Sequence, residues 1–415
     1  MLDYWIDGKL LARVTYKLMN SSNNPILQQS NTPIHSFEFA TVGKIIFGNG
    51  TLAQAAPAAA SFGKRALVVT GKKSERAKPL IDLLKKENVA AELFAVDGEP
   101  TVQNVCAAVE LARSTKCELV IAFGGGSVID LSKAVSALMT NPGDLFDYLE
   151  VIGKAQPLTV RPAPCIAIPT TAGTGSEVTK NAVILSPEHR VKVSLRHPWL
   201  LPAVAIVDPE CTLSMPPAVT ALTGLDALTQ LLEAFICIRA NPLTDGFCRE
   251  GLPRIIRSLR RACAAGDDLS AREEMSLASL FGGLALANAG LGVVHGFSSP
   301  AGGMFSAPHG MVCAALLPYA MRANLAAVKA RAPESAALAR FTEFGKMTGG
   351  TTAEDGIQWL ITLCRDLNVP ALSKLGITEN DFPVLIEKTL AASSTKGNPV
   401  QLTAGEIQQM LSEAF

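Results

Sequence analysis

The alternation of short apolar runs with helix-patterned segments, which begins near residue 37, most constrains the fold of this chain. The runs RALVVTG (65–71), AAELFAV (90–96), ELVIAFGGGS and APCIAIPTT are separated by segments such as PLIDLLKKENV and VCAAVELARS. Strand, helix and strand in repeat predict a parallel sheet with crossover helices. After about residue 216 the pattern changes to long Ala- and Leu-rich segments, which predict helices. We therefore expect an α/β domain over residues 36–215 and an all-helical domain over residues 216–415.

The first 35 residues lack a core-forming pattern and end in the polar stretch SSNNPILQQSNTP. They are interpreted as an N-terminal extension without an assigned function. This stretch has no clean hydrophobic signal region, and no run of about 18 apolar residues occurs in the chain. We expect a cytoplasmic protein with no membrane partner.

Charge and cysteine content argue against a nucleic-acid-binding protein and against a disulfide-stabilised one. Lys plus Arg and Asp plus Glu both number 37, so the formal net charge is zero, and no basic stripe indicates a nucleic-acid partner. The nine cysteines form no C-x-x-C pair, which is typical of free thiols in a reducing compartment. A small-molecule partner is expected.

One glycine-rich turn lies between a predicted strand and a predicted helix, in ELVIAFGGGSVIDLSKAVSAL. Glycines and a helix N-terminus can cradle a phosphate, because backbone amides approach the anion closely. The segment matches neither G-x-G-x-x-G nor G-x-x-x-x-G-K-[ST], so an ordinary tight turn stays open. The residues concerned are Gly124, Gly125, Gly126, Ser127 and Asp130.

A second turn, PTTAGTGSE, follows the next apolar run and is rich in hydroxyl groups. It supplies Thr170, Thr171, Thr174 and Ser176 at short spacing. Alone it could be any polar loop. Two such loops after two strands of one sheet together indicate a dinucleotide site.

The helical half contains residues with metal-ligand chemistry. GLDALTQLLEAF (224–235) reads as a loop running into a helix, with Asp226 and Gln230 four positions apart on one face. Two of the five histidines, His295 and His309, lie in VVHGFSSPAGGMFSAPHGM. A working metal site, a site that has lost its metal and a plain helix all fit this spacing.

These segments, in order, resemble the iron-containing, or group III, alcohol dehydrogenases. The matching motifs are GGGSVID-x-x-K, PTTAGTGSEVT, GLDAL-x-x-x-x-EA and H-x13-H-G, and the resemblance runs from about residue 37 to the C-terminus. It implies the dehydroquinate synthase-like architecture: a Rossmann-like, nicotinamide-cofactor-binding α/β domain followed by an all-helical metal and substrate domain. It also implies a homodimer or a higher homo-oligomer.

The resemblance implies a divalent metal held by one Asp and three His. Asp226, His295 and His309 match three of these ligands, and Gln230 stands where the family usually has the fourth, a histidine. We expect the Gln230 oxygen to complete a site for Fe²⁺, with Mn²⁺ or Zn²⁺ as other candidates. Ser299 replaces a further histidine that many members carry near the substrate. Asp226, His295, His309 and Ser299 are the predicted catalytic residues.

Cofactor preference is predicted from the end of ALVVTGKKSERA. An acidic residue there would bind the ribose 2′-hydroxyl and repel a 2′-phosphate, but this chain has Gly71, followed by Lys72 and Ser74. This favours NADP(H) over NAD(H), although paired lysines also suit a solvated helix start. Asn181 and Lys192 are further cofactor-binding candidates by resemblance.

The predicted function is a metal-dependent alcohol dehydrogenase or aldehyde reductase that transfers a hydride between NAD(P)(H) and a small alcohol or aldehyde. Three alternatives stay open. One is a metal-independent reductase of the maleylacetate reductase type, in which polar side chains replace the ion. A lyase of the dehydroquinate synthase and glycerol dehydrogenase superfamily is another, and a catalytically silent homologue is the third.

Overall fold

Two short strands near the N-terminus form an antiparallel hairpin, β1 (Leu2–Ile6) and β2 (Lys9–Val14). The computed structural model describes residues 2–6, 9–14, 36–305 and 307–415. The rest of the predicted extension over residues 1–35 lies outside the described residues. Residues 37–415 form a second unit, which contains all of the predicted site residues.

The apolar runs of the sequence become the strands of a six-stranded, wholly parallel sheet, which confirms the predicted fold class. From one edge to the other, the sheet consists of β3 (Lys44–Phe47), β10 (Val204–Val207), β7 (Cys165–Pro169), β6 (Leu119–Gly124), β4 (Arg65–Gly71) and β5 (Ala90–Val96). The helices of this half are α1 (Ala55–Ala60), α2 (Lys78–Lys86), α3 (Val102–Ser114), α4 (Gly126–Thr140) and α5 (Leu145–Tyr148).

The central strands are apolar along their length because both faces of the sheet are covered. Leu67 and Val69 of β4 pack into a core with α3 and α4, whereas Ala66 and Val68 face a second core with α1 and α2. All four side chains are fully buried. Successive residues of a strand point to opposite faces, so one continuous apolar run serves two cores.

A second antiparallel hairpin lies outside the main sheet, and the sequence patterns did not predict it. It consists of β8 (Asn181–Ser186) and β9 (Val191–Arg196), with Asn181 opposite Arg196 and Ser186 opposite Val191. Burial alternates along β8, as expected for a strand with one covered face. The hairpin carries both Asn181 and Lys192.

From residue 217 onward the described regular structure is helical, as predicted. Two of these helices, α6 (Pro217–Ile236) and α10 (His309–Arg331), are long and apolar enough to span a membrane by length and composition. However, 83% and 72% of their most apolar 18-residue segments are buried inside the protein. The helices are α6 (Pro217–Ile236), α7 (Pro242–Ala264), α8 (Leu269–Asn288), α9 (Val293–Phe305), α10 (His309–Arg331), α11 (Ala336–Met347), α12 (Ala353–Asp366), α13 (Phe382–Ala391) and α14 (Ala404–Ala414).

Helix α6 begins earlier than the sequence pattern predicted. The segment 224–235 was expected to start as a loop, but it lies inside the helix, which begins at Pro217. Proline suits the first helical position because its missing N–H and fixed φ cost nothing there. Asp226 and Gln230 are therefore held in the rigid middle of a helix.

Candidate active site

The two predicted phosphate loops meet at one edge of the sheet. They follow β6 and β7, which are neighbours, and Thr170 N donates to the Gly124 carbonyl at 3.0 Å. A Cβ on Gly125 would lie 3.2 Å from Thr171 Oγ1, and one on Gly126 would lie 2.8 Å from Thr174 Oγ1. The glycines therefore let the two loops approach closely at the N-terminus of α4, where backbone amides favour an anion.

Two of the predicted cofactor-binding side chains brace this arrangement. Ser176 Oγ donates to Asp130 Oδ1 at 3.2 Å, and Val183 N donates to Asp130 Oδ2 at 3.1 Å. Lys133 Nζ donates to the carbonyl oxygen of Asn181 at 3.0 Å. Asp130 and Ser176 are buried and bound to each other, so they hold the second loop and the hairpin against α4.

The predicted 2′-phosphate pocket lies at the carboxyl end of β4, next to β6 in the sheet. A Cβ on Gly71 would meet no atom within 4 Å, so the space beside this glycine is open. Ser74 begins a short 3-10 turn, and Lys72 Nζ forms an exposed ion pair with Asp97 Oδ2 at 2.7 Å. Exposed ion pairs contribute little free energy, so Asp97 holds the Lys72 side chain only weakly.

Lys192 extends from the hairpin toward the helical half. Its Nζ donates to Glu99 Oε1 at 3.0 Å, and a Cβ on Gly302 of α9 would lie 2.7 Å from the same nitrogen. The side chain is buried, so its charge faces the interior of the cleft rather than solvent.

The predicted metal ligands converge from three helices. Asp226 lies on α6, His295 in the first turn of α9 and His309 at the first residue of α10. Asp226 Oδ1 is 3.5 Å from His295 Nε2 and 3.6 Å from His309 Nε2. The two imidazole rings have centroids 5.4 Å apart. Ser299 lies one turn beyond His295 on α9, half-buried.

The chemistry of this cluster fits a cation. Asp226 Oδ1 and His295 Nε2 are buried, and neither has a hydrogen-bond partner. Buried polar atoms are almost always paired, and a carboxylate oxygen and an imidazole nitrogen facing one point are suitable metal donors. Burial would raise the pKa of Asp226, but the neighbouring His309 and His295 hold it below its ordinary value.

Glu233 completes the environment of His295, and the sequence analysis did not assign it. Its Oε2 lies 2.6 Å from His295 Nδ1, and its Oε1 accepts from Val294 N at 2.7 Å. A carboxylate at Nδ1 requires a proton on that nitrogen, so Nε2 is the nitrogen left to bind a metal, and its own proton would leave when the ion binds. Burial lowers the pKa of His295, but the carboxylates of Asp226 and Glu233 raise it to about 9. The spacing of seven between Asp226 and Glu233, two helical turns, was the available signal.

Two further side chains border the cluster. Gln230 Nε2 donates to Asp226 Oδ2 at 3.1 Å, while its Oε1 has no hydrogen-bond partner. Cys313, which the sequence analysis also did not assign, places Sγ 3.7 Å from His309 Nε2. A carboxylate oxygen, two imidazole nitrogens and this sulfur lie within 4.8 Å of one another.

The second loop also contacts α6, which carries Asp226, and the neighbouring helix α8. A Cβ on Gly173 would lie 2.7 Å from Thr223 Cβ, one turn before Asp226 on α6. Gly175 adopts φ +60°, and a Cβ there would lie 2.4 Å from Gly283 Cα of α8. This glycine–glycine contact brings the loop backbone directly onto α8, which packs against α6, the helix that carries Asp226.

Comparisons with known proteins agree with this architecture. The profile described as iron-containing alcohol dehydrogenase matches residues 43–209, and the one described as Fe-containing alcohol dehydrogenase family, C-terminal, matches residues 220–415. A 1,3-propanediol dehydrogenase from Klebsiella pneumoniae is 36% identical over 360 residues, which cover 85% of this chain and 92% of that protein.

Solved structures are similar over the same region. A crystal structure of a 1,3-propanediol oxidoreductase superposes with a TM-score of 0.85 at 33% identity, covering 92% of this chain and 100% of the other. A sulfoacetaldehyde reductase from Bifidobacterium kashiwanohense, solved in complex with NAD⁺, gives a TM-score of 0.82 at 29% identity, covering 92% and 99%. The chain belongs to the iron-containing alcohol dehydrogenase family.

Proposed function

We propose that this protein is a metal-dependent alcohol dehydrogenase that interconverts a small primary alcohol and its aldehyde, with NADP(H) as the preferred cofactor. The observation that carries the proposal is the pair of buried, unpartnered donor atoms, Asp226 Oδ1 and His295 Nε2, beside His309 in the cleft next to the phosphate loops. Its relatives named as 1,3-propanediol dehydrogenases support a short alcohol or diol as substrate.

Asp226, His295 and His309 would hold a divalent ion, with Fe²⁺ as the first candidate. Such an ion supplies Lewis-acid chemistry at the substrate oxygen, and a nicotinamide cofactor supplies or accepts the hydride. Asp226 contributes the negative charge, and His295 is kept in the ligating tautomer by Glu233. His309 is a third exposed, which places it on the open side of the cluster, where a substrate can reach.

The two loops would hold the cofactor diphosphate at the N-terminus of α4. Gly125 and Gly126 leave the backbone amides accessible, and Thr171 and Thr174 offer hydroxyl groups at the same place. Ser299, half-buried one turn from His295 on α9, would serve as a proton-transfer hydroxyl between the substrate and solvent.

The preference for NADP(H) rests on Gly71. The open space beside it contains no carboxylate of β4 that would repel a 2′-phosphate, and Lys72 and Ser74 follow directly. Asp97, paired with Lys72, is the opposing feature, because its charge disfavours a second anion. Steady-state kinetics with both cofactors decide the question: kcat/KM higher with NADPH supports the assignment, and a strong preference for NADH overturns it.

The decisive experiment for the metal is removal and restoration. Purified protein should contain close to one divalent ion per chain, EDTA should abolish alcohol oxidation, and Fe²⁺ should restore it. Full activity in metal-free protein would instead support the metal-independent reductase. A homodimer and a cytoplasmic location are further proposals, which rest on the family resemblance; light scattering of the purified protein tests the first.

A further inference from the structure

Four donor atoms, rather than three, surround the candidate metal position. Asp226 Oδ1 lies 3.5 Å from His295 Nε2 and 3.6 Å from His309 Nε2, and Cys313 Sγ lies 3.7 Å from His309 Nε2. In a tetrahedral site with bonds of about 2.0 to 2.3 Å, donor atoms lie about 3.3 to 3.8 Å apart. These three separations match this range, and all four donor atoms lie within 4.8 Å of one another.

Gln230 is oriented away from this position. Its Nε2 donates to Asp226 Oδ2 at 3.1 Å, and since a carboxylate only accepts hydrogen bonds, the amide nitrogen must be the atom that faces it. The amide oxygen then lies against α8, where a Cβ on Gly282 would be 3.2 Å away. The lone pair of a neutral amide NH₂ group is delocalised into the carbonyl, so this nitrogen does not bind a metal. Gln230 therefore orients Asp226, and the other carboxylate oxygen stays free.

We propose that Cys313 is the fourth metal ligand, which gives the site an Asp-His-His-Cys donor set. His309 and Cys313 are four residues apart at the start of α10, so both point from one face of that helix. The proposal rests on the proposed metal-dependent function and names the ligand set of that same site.

Ordinary burial of a thiol does not account for the surroundings of Cys313. Cys248 is equally buried in the same helical core, but among the described residues it belongs to no group of donor side chains that could hold an ion. Beside Cys313, by contrast, the buried atoms Asp226 Oδ1 and His295 Nε2 have no hydrogen-bond partner. A cation at the point that these atoms face would satisfy them and the sulfur together, and the thiol proton would leave to solvent on binding.

The donor set has a consequence for metal choice. Thiolate and imidazole favour Zn²⁺, Fe²⁺ and Co²⁺, whereas Mn²⁺ and Mg²⁺ favour oxygen ligands. The ratio of Zn²⁺ affinity to Mn²⁺ affinity should therefore be much larger in the wild-type protein than in Cys313→Ala. In Cys313→Ala the Zn²⁺ affinity should fall by more than about 10-fold. Altering a group that only supports a ligand already costs about 10-fold, and removal of a ligand itself should cost more.

Cobalt substitution of the full chain tests the assignment without an activity assay. A thiolate ligand gives Co²⁺ a charge-transfer band in the near ultraviolet, in addition to the visible bands of the bound ion. The wild-type protein, Gln230→Ala and the matched control Cys248→Ala should all show both features. Cys313→Ala should keep the visible bands and lose the charge-transfer band.

Each outcome is informative. Visible bands without a charge-transfer band in the wild-type protein would overturn the role of Cys313 and leave the proposed metal function standing. No cobalt bands in folded wild-type protein would overturn the metal function itself. If Cys313→Ala does not fold, the cobalt spectrum of Gln230→Ala still decides: a retained charge-transfer band supports Cys313 as the ligand, and visible bands without it overturn that assignment.

Discussion

Replacing Glu233 by glutamine should weaken metal binding although Glu233 touches no metal. The carboxylate is almost fully buried and accepts from Val294 N at 2.7 Å, while its other oxygen lies 2.6 Å from His295 Nδ1. An amide has only one oxygen, so its NH₂ group must face one of these two donors. The buried donor that loses its acceptor costs about 1 to 3 kcal/mol of folding free energy.

The same change removes what fixes the tautomer of His295. Without a carboxylate at Nδ1, the ring is no longer held with Nε2 toward Asp226, and changes of this kind reduce metal affinity by about 10- to 100-fold. That corresponds to about 1.4 to 2.8 kcal/mol of binding free energy. Zn²⁺ titration calorimetry of Glu233→Gln, together with thermal unfolding of the metal-free protein, measures both effects.

Asp245→Asn provides the matched control. Asp245 is a buried carboxylate of the same helical half, and it accepts from Arg340 Nη2 at 2.7 Å. This variant should lose stability and keep wild-type metal affinity. Wild-type affinity in a folded Glu233→Gln would refute the reasoning, because it would show that the Glu233–His295 contact does not govern the site.

Three other changes address the cofactor half. Gly71→Asp should shift the ratio of kcat/KM for NADH to kcat/KM for NADPH toward NADH by about 1 to 3 kcal/mol, because contacts to the 2′-phosphate are lost and repulsion is added. An unchanged ratio of the two kcat/KM values in steady-state assays would contradict this. Gly126→Val should raise the cofactor KM and leave metal content by mass spectrometry unchanged, because a Cβ there would lie 2.8 Å from Thr174 Oγ1; equal loss of metal would show that the loop and the metal site are not separate. Burial raises the pKa of Glu177 from 4.5 to about 7, so the contribution of Glu177 to stability should be full below pH 4.5 and fall by up to about 3 kcal/mol as pH rises through about 7. Glu177→Gln should flatten that decline in thermal melts between pH 5 and pH 8, and a parallel decline in both proteins would count against it.

The central strands could be predicted from sequence because their composition is dictated by burial. A strand covered on both faces must be apolar throughout, so the run at 65–71 coincides with β4, which is buried over most of its length. The run at 90–96 also coincides with a strand, β5, although this edge strand is largely exposed or half-buried. The hairpin of β8 and β9 has one covered face and a charged turn, so its alternating signal is weak over six residues a strand. The four-residue strands β3 and β10 are too short to carry any period.

The candidate site was predictable only where chemistry-bearing residues are rare. Histidines are scarce in this chain, so His295 and His309 stood out, whereas Glu233 is one acidic residue among 37. Cys313 is one of nine cysteines, and its four-residue spacing from His309 gains meaning only when α10 is known to begin at that histidine. Which faces of α6, α9 and α10 meet is a tertiary property that no single segment encodes.

The replacement at residue 230 and the sulfur at residue 313 are linked by geometry. An imidazole at position 230 would have reached the ion from α6, alongside Asp226. In this chain Gln230 of α6 instead donates a hydrogen bond that fixes Asp226 Oδ2. The candidate fourth ligand atom, Cys313 Sγ, lies on α10, 3.7 Å from His309 Nε2. Two helices that each present a pair at i and i+4 can exchange the position of one ligand without moving either backbone. The site therefore keeps four candidate donors although the expected histidine is missing, and an inference of metal loss from Gln230 alone does not follow.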